Sequence, residues 1–211
     1  DKELEKLHQL NKPFFSLIFS SSNHDPFEIP SGVAQAIEYN AEQLALYDDK
    51  ERARHLAVQY ADYALAQFID KAKTKSYWHD TIFLIVADHD ARVLGKDLVP
   101  IKHFHIPGLI LNSNVKGIVD DRIVSQIDLG PTLLSLIGIT NNSPMLGHDL
   151  TSPSAGGRAM MQYADNFAYS KGDEVVVLRP QKQPLSFVYD IANDKLTRSK
   201  PNKKLEEIAL A

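Results

Sequence analysis

Residues 81–87 (TIFLIVA) are apolar on both parities of a strand and rich in β-branched side chains. A strand of this kind has two faces to bury, so it needs a layer above and a layer below, the situation of an inner strand in a parallel sheet. Residues 14–20 (FFSLIFS), opened by Pro13 and closed by Ser21, Ser22 and Asn23, read as a second buried strand. Between the two, over residues 32–76, the period lengthens. Leu56, Tyr60, Ala64 and Phe68 recur every four residues with Tyr63 and Ile69 alongside, while Glu51, Arg52, Asp62, Asp70 and Lys71 take the other face. That is a long amphipathic helix, and a helix between two such strands is a βαβ unit. The chain is therefore expected in the α/β class, with a mostly parallel sheet flanked by helices.

The second half reads differently. Residues 106–111 (IPGLIL) form a third apolar run, and residues 125–139 read as a helix in which Asp128 caps orphan amides, Pro131 sits in the first turn and Gly138 provides the stop. After a turn-rich stretch at 140–157, short β runs at 159–163, 174–178 and 186–189 are separated by Gly172-Asp173 and by residues 180–184. A small C-terminal antiparallel sheet is expected there, closed by a helix over 203–211. The division implied is 1–155 for the α/β part and 156–211 for a β-rich subdomain.

Composition narrows the function classes. With 211 residues the chain can bury a sizeable core, and with no cysteine it has neither disulfides nor thiolate metal sites. The net charge is −4 and no basic run exceeds the pair Lys203-Lys204, so a nucleic-acid partner is not expected. The longest apolar stretch, 82–87, is far short of the ~20 residues of a membrane helix. A first residue Asp1 followed at once by a charged helical pattern is expected of a piece of a longer protein.

In open α/β sheets ligands bind beyond the carboxyl ends of strands, and two of those ends carry histidine. Residues 14–20 run into Ser21-Ser22-Asn23-His24-Asp25-Pro26-Phe27, and residues 81–87 run into Asp88-His89-Asp90. Carboxylate and imidazole together suit Zn²⁺, Mn²⁺ or Fe²⁺. Consecutive strand residues point to opposite faces, so Asp88 and His89 can share one ion only if the chain leaves the sheet there. The same triplet also fits a solvated loop or helix cap, and His24 also fits a turn histidine bonded to its neighbours. The loop over 90–105 carries Arg92, Lys96, Lys102, His103 and His105, donors suited to phosphate or sulfate. No Gly-rich phosphate loop, Gly-x-Ser-x-Gly elbow or Cys/His zinc spacing occurs.

Taken in order, Ser-Asn-His24-Asp-Pro-Phe, the helix from Gln59 to Phe68, Ala-Asp88-His89, Ser125-Gln-Ile-Asp-Leu-Gly-Pro-Thr-Leu-Leu134 and Gly147-His-Asp-Leu150 resemble the C-terminal half of a sulfatase-type domain of the alkaline phosphatase superfamily. The likeness is greatest to the lipoteichoic acid synthase and phosphoglycerol transferase branch. The resemblance implies a partial alkaline-phosphatase-like fold and an enzyme dependent on a divalent metal, commonly Mn²⁺, with Zn²⁺, Mg²⁺ or Ca²⁺ as alternatives. In it a threonine attacks phosphorus, and a glycerol hydroxyl or water releases the phospho-enzyme.

Asp88 and His89 match the metal-ligating pair, and His24 matches a histidine near the substrate phosphate, which binds the anion or aids proton transfer. Arg92 and His105 are the further candidates for substrate binding. The resemblance implies as partners a phospholipid, glycerol-phosphate or sulfate ester substrate and the N-terminal remainder of the parent chain, which would carry the nucleophile. It also implies a membrane-anchored parent with this domain on the extracytoplasmic side, and no turnover by the isolated piece. Two readings stand beside it: a soluble sulfatase or phosphodiesterase, and a non-catalytic α/β binding module in which Asp88 and His89 merely cap a strand end.

Overall fold

The computed structural model of the chain describes residues 1–33, 36–37, 39–90, 95–115, 117–140, 142 and 144–211. They fall into two units, Asp1–Thr81 and Ile82–Ala211. The boundary expected at 155/156 lies inside the second of these.

The first unit is helical. Helix α1 (Lys2–Gln9) packs on a 3₁₀ turn at Ser76–Asp80, where the buried Tyr77 donates its hydroxyl to the Asp1 carboxylate at 2.8 Å and Lys75 pairs with Glu5 at 3.2 Å. Helix α2 (Ala41–Leu44) and helix α3 (Asp49–Ala72) occupy part of the 32–76 stretch. Two short polar side chains account for the two starts. Asn40 accepts from the Gln43 N–H at 3.0 Å and Asp48 from the Glu51 N–H at 2.8 Å, each satisfying an amide that has no partner inside its helix. The expected stripe of Leu56, Tyr60, Ala64 and Phe68 lies on α3, half-buried, with Ala57 and Ala72 fully buried.

Residues 14–20 correct the sequence reading. They form no strand, and Phe15 and Leu17 are each 80% exposed, with Ile18 and Phe19 also open to solvent. A hydrophobic strand is buried only when neighbours pair its edges and cover its faces, and no described residue pairs with this run.

In the second unit, strand β1 (Phe83–Val86) pairs antiparallel with strand β2 (Gly108–Leu111), from Phe83 opposite Leu111 to Val86 opposite Gly108. The α/β class holds, as does the small C-terminal antiparallel sheet; the pairing within the α/β part differs from the parallel one expected. Among the described residues every strand pair is antiparallel. Strand β1 is accordingly half-buried to exposed along its length rather than covered on both faces.

A 3₁₀ turn at Gln126–Asp128 leads into helix α4 (Leu129–Leu136), followed by Gly138 at φ +77°, the left-handed stop that only glycine adopts freely. Strands β3 (Arg158–Tyr163), β4 (Asn166–Lys171), β5 (Glu174–Arg179), β6 (Lys182–Asp190) and β7 (Lys195–Arg198) form a five-stranded meander in sequence order. Pro184 lies within β6, where the β5–β6 register shifts between Val177 and Arg179. Such an irregularity is where a residue without an N–H is tolerated in a sheet.

Both faces of the meander are covered. Met161, Ala168, Val175 and Val177 pack with Val99 and its neighbours Leu98, Ile101 and Phe104. On the other face Tyr169 and Val176 pack with Leu205 and Ala209 of helix α5 (Lys203–Leu210), which starts at an Asn202 cap on the Leu205 N–H. The run of three valines in β5 is thus explained by double coverage.

Candidate functional site

Strand β1 ends at Val86, and the chain bends at Asp88 and His89. Leaving the sheet brings the two side chains to the same side. Asp88 Oδ1 accepts the His89 backbone N–H at 2.9 Å, and its Oδ2 lies 3.4 Å from His89 Nε2. The His89 Nδ1 is 2.7 Å from the Asp90 carbonyl oxygen. A carbonyl only accepts, so that nitrogen carries the proton, and Nε2 is left facing a carboxylate oxygen. A nitrogen and a carboxylate oxygen facing each other in this way can be bridged by a ring proton or by a shared cation.

The pair fits as two ligands of one divalent ion. A 3.4 Å separation lies within the span of two donors each bonded at roughly 2.0–2.2 Å, and a ligand imidazole held through its other nitrogen by a carbonyl is the usual supporting arrangement. Both side chains are well exposed, at 61% and 68%. No cluster of three His, Cys, Asp or Glu groups able to hold a metal occurs among the described residues, so the pair by itself is short of a full coordination shell.

The turn is tied at both ends to neighbouring elements. On one side the Gln126 side-chain amide donates to the Ala87 carbonyl at 2.9 Å and to the Asp88 carbonyl at 3.2 Å. On the other, Asp90 Oδ2 accepts from His103 Nδ1 at 2.7 Å. Gln126 opens the 3₁₀ turn whose last residue, Asp128, is fully buried. Asp128 accepts the Ser125 N–H at 2.8 Å, the His148 N–H at 2.7 Å and an N–H of Arg158 at 3.2 Å.

Other sequence candidates fall as follows. His24 lies in the first unit, exposed, with Nδ1 donating to the Asp25 carbonyl at 2.9 Å, while Asp25 pairs with Lys50 at 2.9 Å. His105 is exposed at the end of the 3₁₀ turn Ile101–Phe104; the imidazole of that turn engaged with the Asp88–Asp90 bend is His103. Arg92 lies outside the described residues. Sequence reasoning passed over Gln126, although it stands inside the Ser125–Leu134 motif, and gave Asp90 and His103 no role as a pair. Their hydrogen bond joins positions 13 residues apart, which no local spacing reveals.

An α/β domain whose strand ends in an Asp-His pair defines a class, and the comparison with known families agrees. A family model described as Sulfatase matches residues 1–139, and the chain belongs to that family, within the alkaline phosphatase superfamily. The lipoteichoic acid synthase of Staphylococcus saprophyticus is 27% identical over 226 residues, covering 95% of this chain and 32% of its own length. Lipoteichoic acid synthase 1 of Bacillus subtilis is 24% identical over 97% of the chain and 32% of its own. A crystal structure of an alkaline phosphatase superfamily protein from Vibrio parahaemolyticus superposes with a TM-score of 0.87 at 48% identity, covering 99% of this chain and 49% of that one. The chain thus spans about a third of these curated relatives and half of the solved one.

Proposed function

We propose that these residues form the C-terminal part of a metal-dependent phosphoglycerol transferase or sulfatase-like hydrolase acting on phosphodiester or sulfate esters. The observation that carries the reading is the approach of Asp88 Oδ2 to His89 Nε2 at the strand end, with each group's other polar atom already engaged. The similarity to lipoteichoic acid synthases favours the phosphoglycerol branch.

Asp88 and His89 hold a divalent ion, Mn²⁺ by preference, whose chemistry when bound is to neutralise phosphoryl oxygens and lower the pKa of the attacking hydroxyl. His24, whose Nδ1 bonds the Asp25 carbonyl, is assigned by the family resemblance to the substrate anion, which it binds or to which it aids proton transfer. Arg92 and His105 are assigned to the same anion. The nucleophile, a threonine, and the remaining ligands are assigned to sequence outside these 211 residues. In keeping with the branch, the parent is assigned to the cell membrane with this domain outside the cytoplasm; no helix among the described residues is itself long and apolar enough to cross a bilayer.

Asp88→Ala tests the reading in the protein carrying its flanking sequence. Calorimetric Mn²⁺ titration should lose its binding heat, and cleavage of a glycerol-phosphate diester should fall to background. Retained metal uptake and retained cleavage would refute it in favour of the non-catalytic module.

A further inference from the structure

We infer that Gln126 is a positioning residue for the Asp88–His89 pair, an assignment that rests on the metal-binding reading of that pair. Strand β1 gives up its ladder at Val86, so the carbonyls of Ala87 and Asp88 are left without the partners a continuing strand would supply. The Gln126 amide, with two N–H donors, meets both, at 2.9 and 3.2 Å. A carbonyl held on each side of the Asp88 Cα fixes where the carboxylate leaves the backbone, and the His89 ring follows through its own bond to the Asp90 carbonyl.

The donor is exposed, but the element that carries it is not free to move. Ser125 and Asp128 close a reciprocal cap around the 3₁₀ turn, and the Asp128 carboxylate is buried against Arg158 and the His148 N–H. The backbone of the Gly147 loop presses on this turn so closely that a Cβ on Gly147 would fall 2.0 Å from the Ile127 carbonyl oxygen. Gln126 therefore reaches the bend from a clamped base. This is the arrangement in which an outer group orients a ligand, and loss of such a group typically lowers metal affinity roughly 10–100-fold.

The test uses Gln126→Met, which keeps the length and removes both donors, and Gln126→Ala as a second variant, each in the protein with its flanking sequence. Mn²⁺ affinity is read from the free-ion electron paramagnetic resonance signal. Hydrogen exchange at the His89 amide is read without metal, and thermal unfolding without metal serves as the control. Both variants should melt with the parent protein, bind Mn²⁺ roughly 10–100-fold more weakly, and exchange the His89 amide faster. Affinity within about twofold of the parent, in variants that fold and beside an Asp88→Ala protein that has lost Mn²⁺, overturns this inference alone. If Asp88→Ala keeps Mn²⁺, the proposed function fails, and unchanged His89 exchange in the Gln126 variants then removes the clamp as well.

Discussion

Asp128 Oδ1 lies 3.2 Å from Arg158 Nη2, the carboxylate wholly buried and the guanidinium 9% exposed, joining the 3₁₀ turn before α4 to the first residue of β3. The same carboxylate accepts the Ser125 and His148 backbone amides. Asp128→Ala should therefore leave a buried cation, the buried Ser125 N–H and the part-buried His148 N–H uncompensated, at about 3–5 kcal/mol in urea unfolding. A double variant that also carries Arg158→Met should recover only part of that loss, because the two amides stay unpaired. Full recovery would mean the amides find water, and that the ion pair is the whole of the effect.

Gly147 is demanded by space, not by dihedral angle. A Cβ there meets the Ile127 carbonyl oxygen at 2.0 Å and the Asp128 Cα at 2.9 Å, both backbone atoms that cannot swing aside. Gly147→Ala should destabilise the second unit by at least the 1–3 kcal/mol typical of overpacking, roughly. It should also broaden the amide resonance of His148, whose N–H reaches Asp128 across the same contact. A variant as stable as the parent would contradict the tight approach.

Tyr189 links stability to alkaline pH. Burial, its hydrogen bond to Asp194 at 2.8 Å and the negative charges of Asp194, Asp97 and Asp190 push its phenol up to about 12. The unfolded chain ionises near 10, so the raised value contributes fully below pH 10 and is lost as pH climbs from about 10 to 12. Urea midpoints taken across that window should fall as pH rises. Tyr189→Phe should flatten this part of the profile; an equally steep decline in that variant assigns it to other groups.

What the sequence disclosed follows from how local each signal is. The stripe on α3, the valine run of β5 and the stop at Gly138 are set by neighbours a few residues away, and all three are where periodicity puts them. Strand β4 (NFAYSK) was hidden because its buried positions are Ala168, Tyr169 and Ser170, a set without the apolar run that marks a strand. The four residues of β7 are too few to show a period. Partner choice is non-local: FFSLIFS and TIFLIVA read alike, yet one is paired and the other exposed, and the direction of the β1–β2 pairing was not written in either strand. At the candidate site the Asp88–His89 pair was legible because it follows an apolar run. Gln126 was not, since its two acceptors lie 38 and 39 residues away.

The exposed run around Phe15 should govern the solution behaviour of these 211 residues expressed by themselves. Phe15, Leu17 and Phe19 are 80%, 80% and 77% exposed, with Ile18 at 66%, and the stretch FFSLIF has no charge and no proline. Such segments combine high β-propensity with unpaired backbone, the composition that drives edge-to-edge association. Light scattering should show concentration-dependent oligomers, accompanied by binding of a hydrophobic dye. Replacing Phe15, Leu17 and Phe19 together by Ser should shift the chain toward monomer while leaving the melting transition nearly in place, because solvent-exposed substitutions change stability by about 0.5 kcal/mol or less each. A parent chain that stays monomeric and dye-free at high concentration would show that this run is covered in solution, and the triple Ser variant should then lose stability instead.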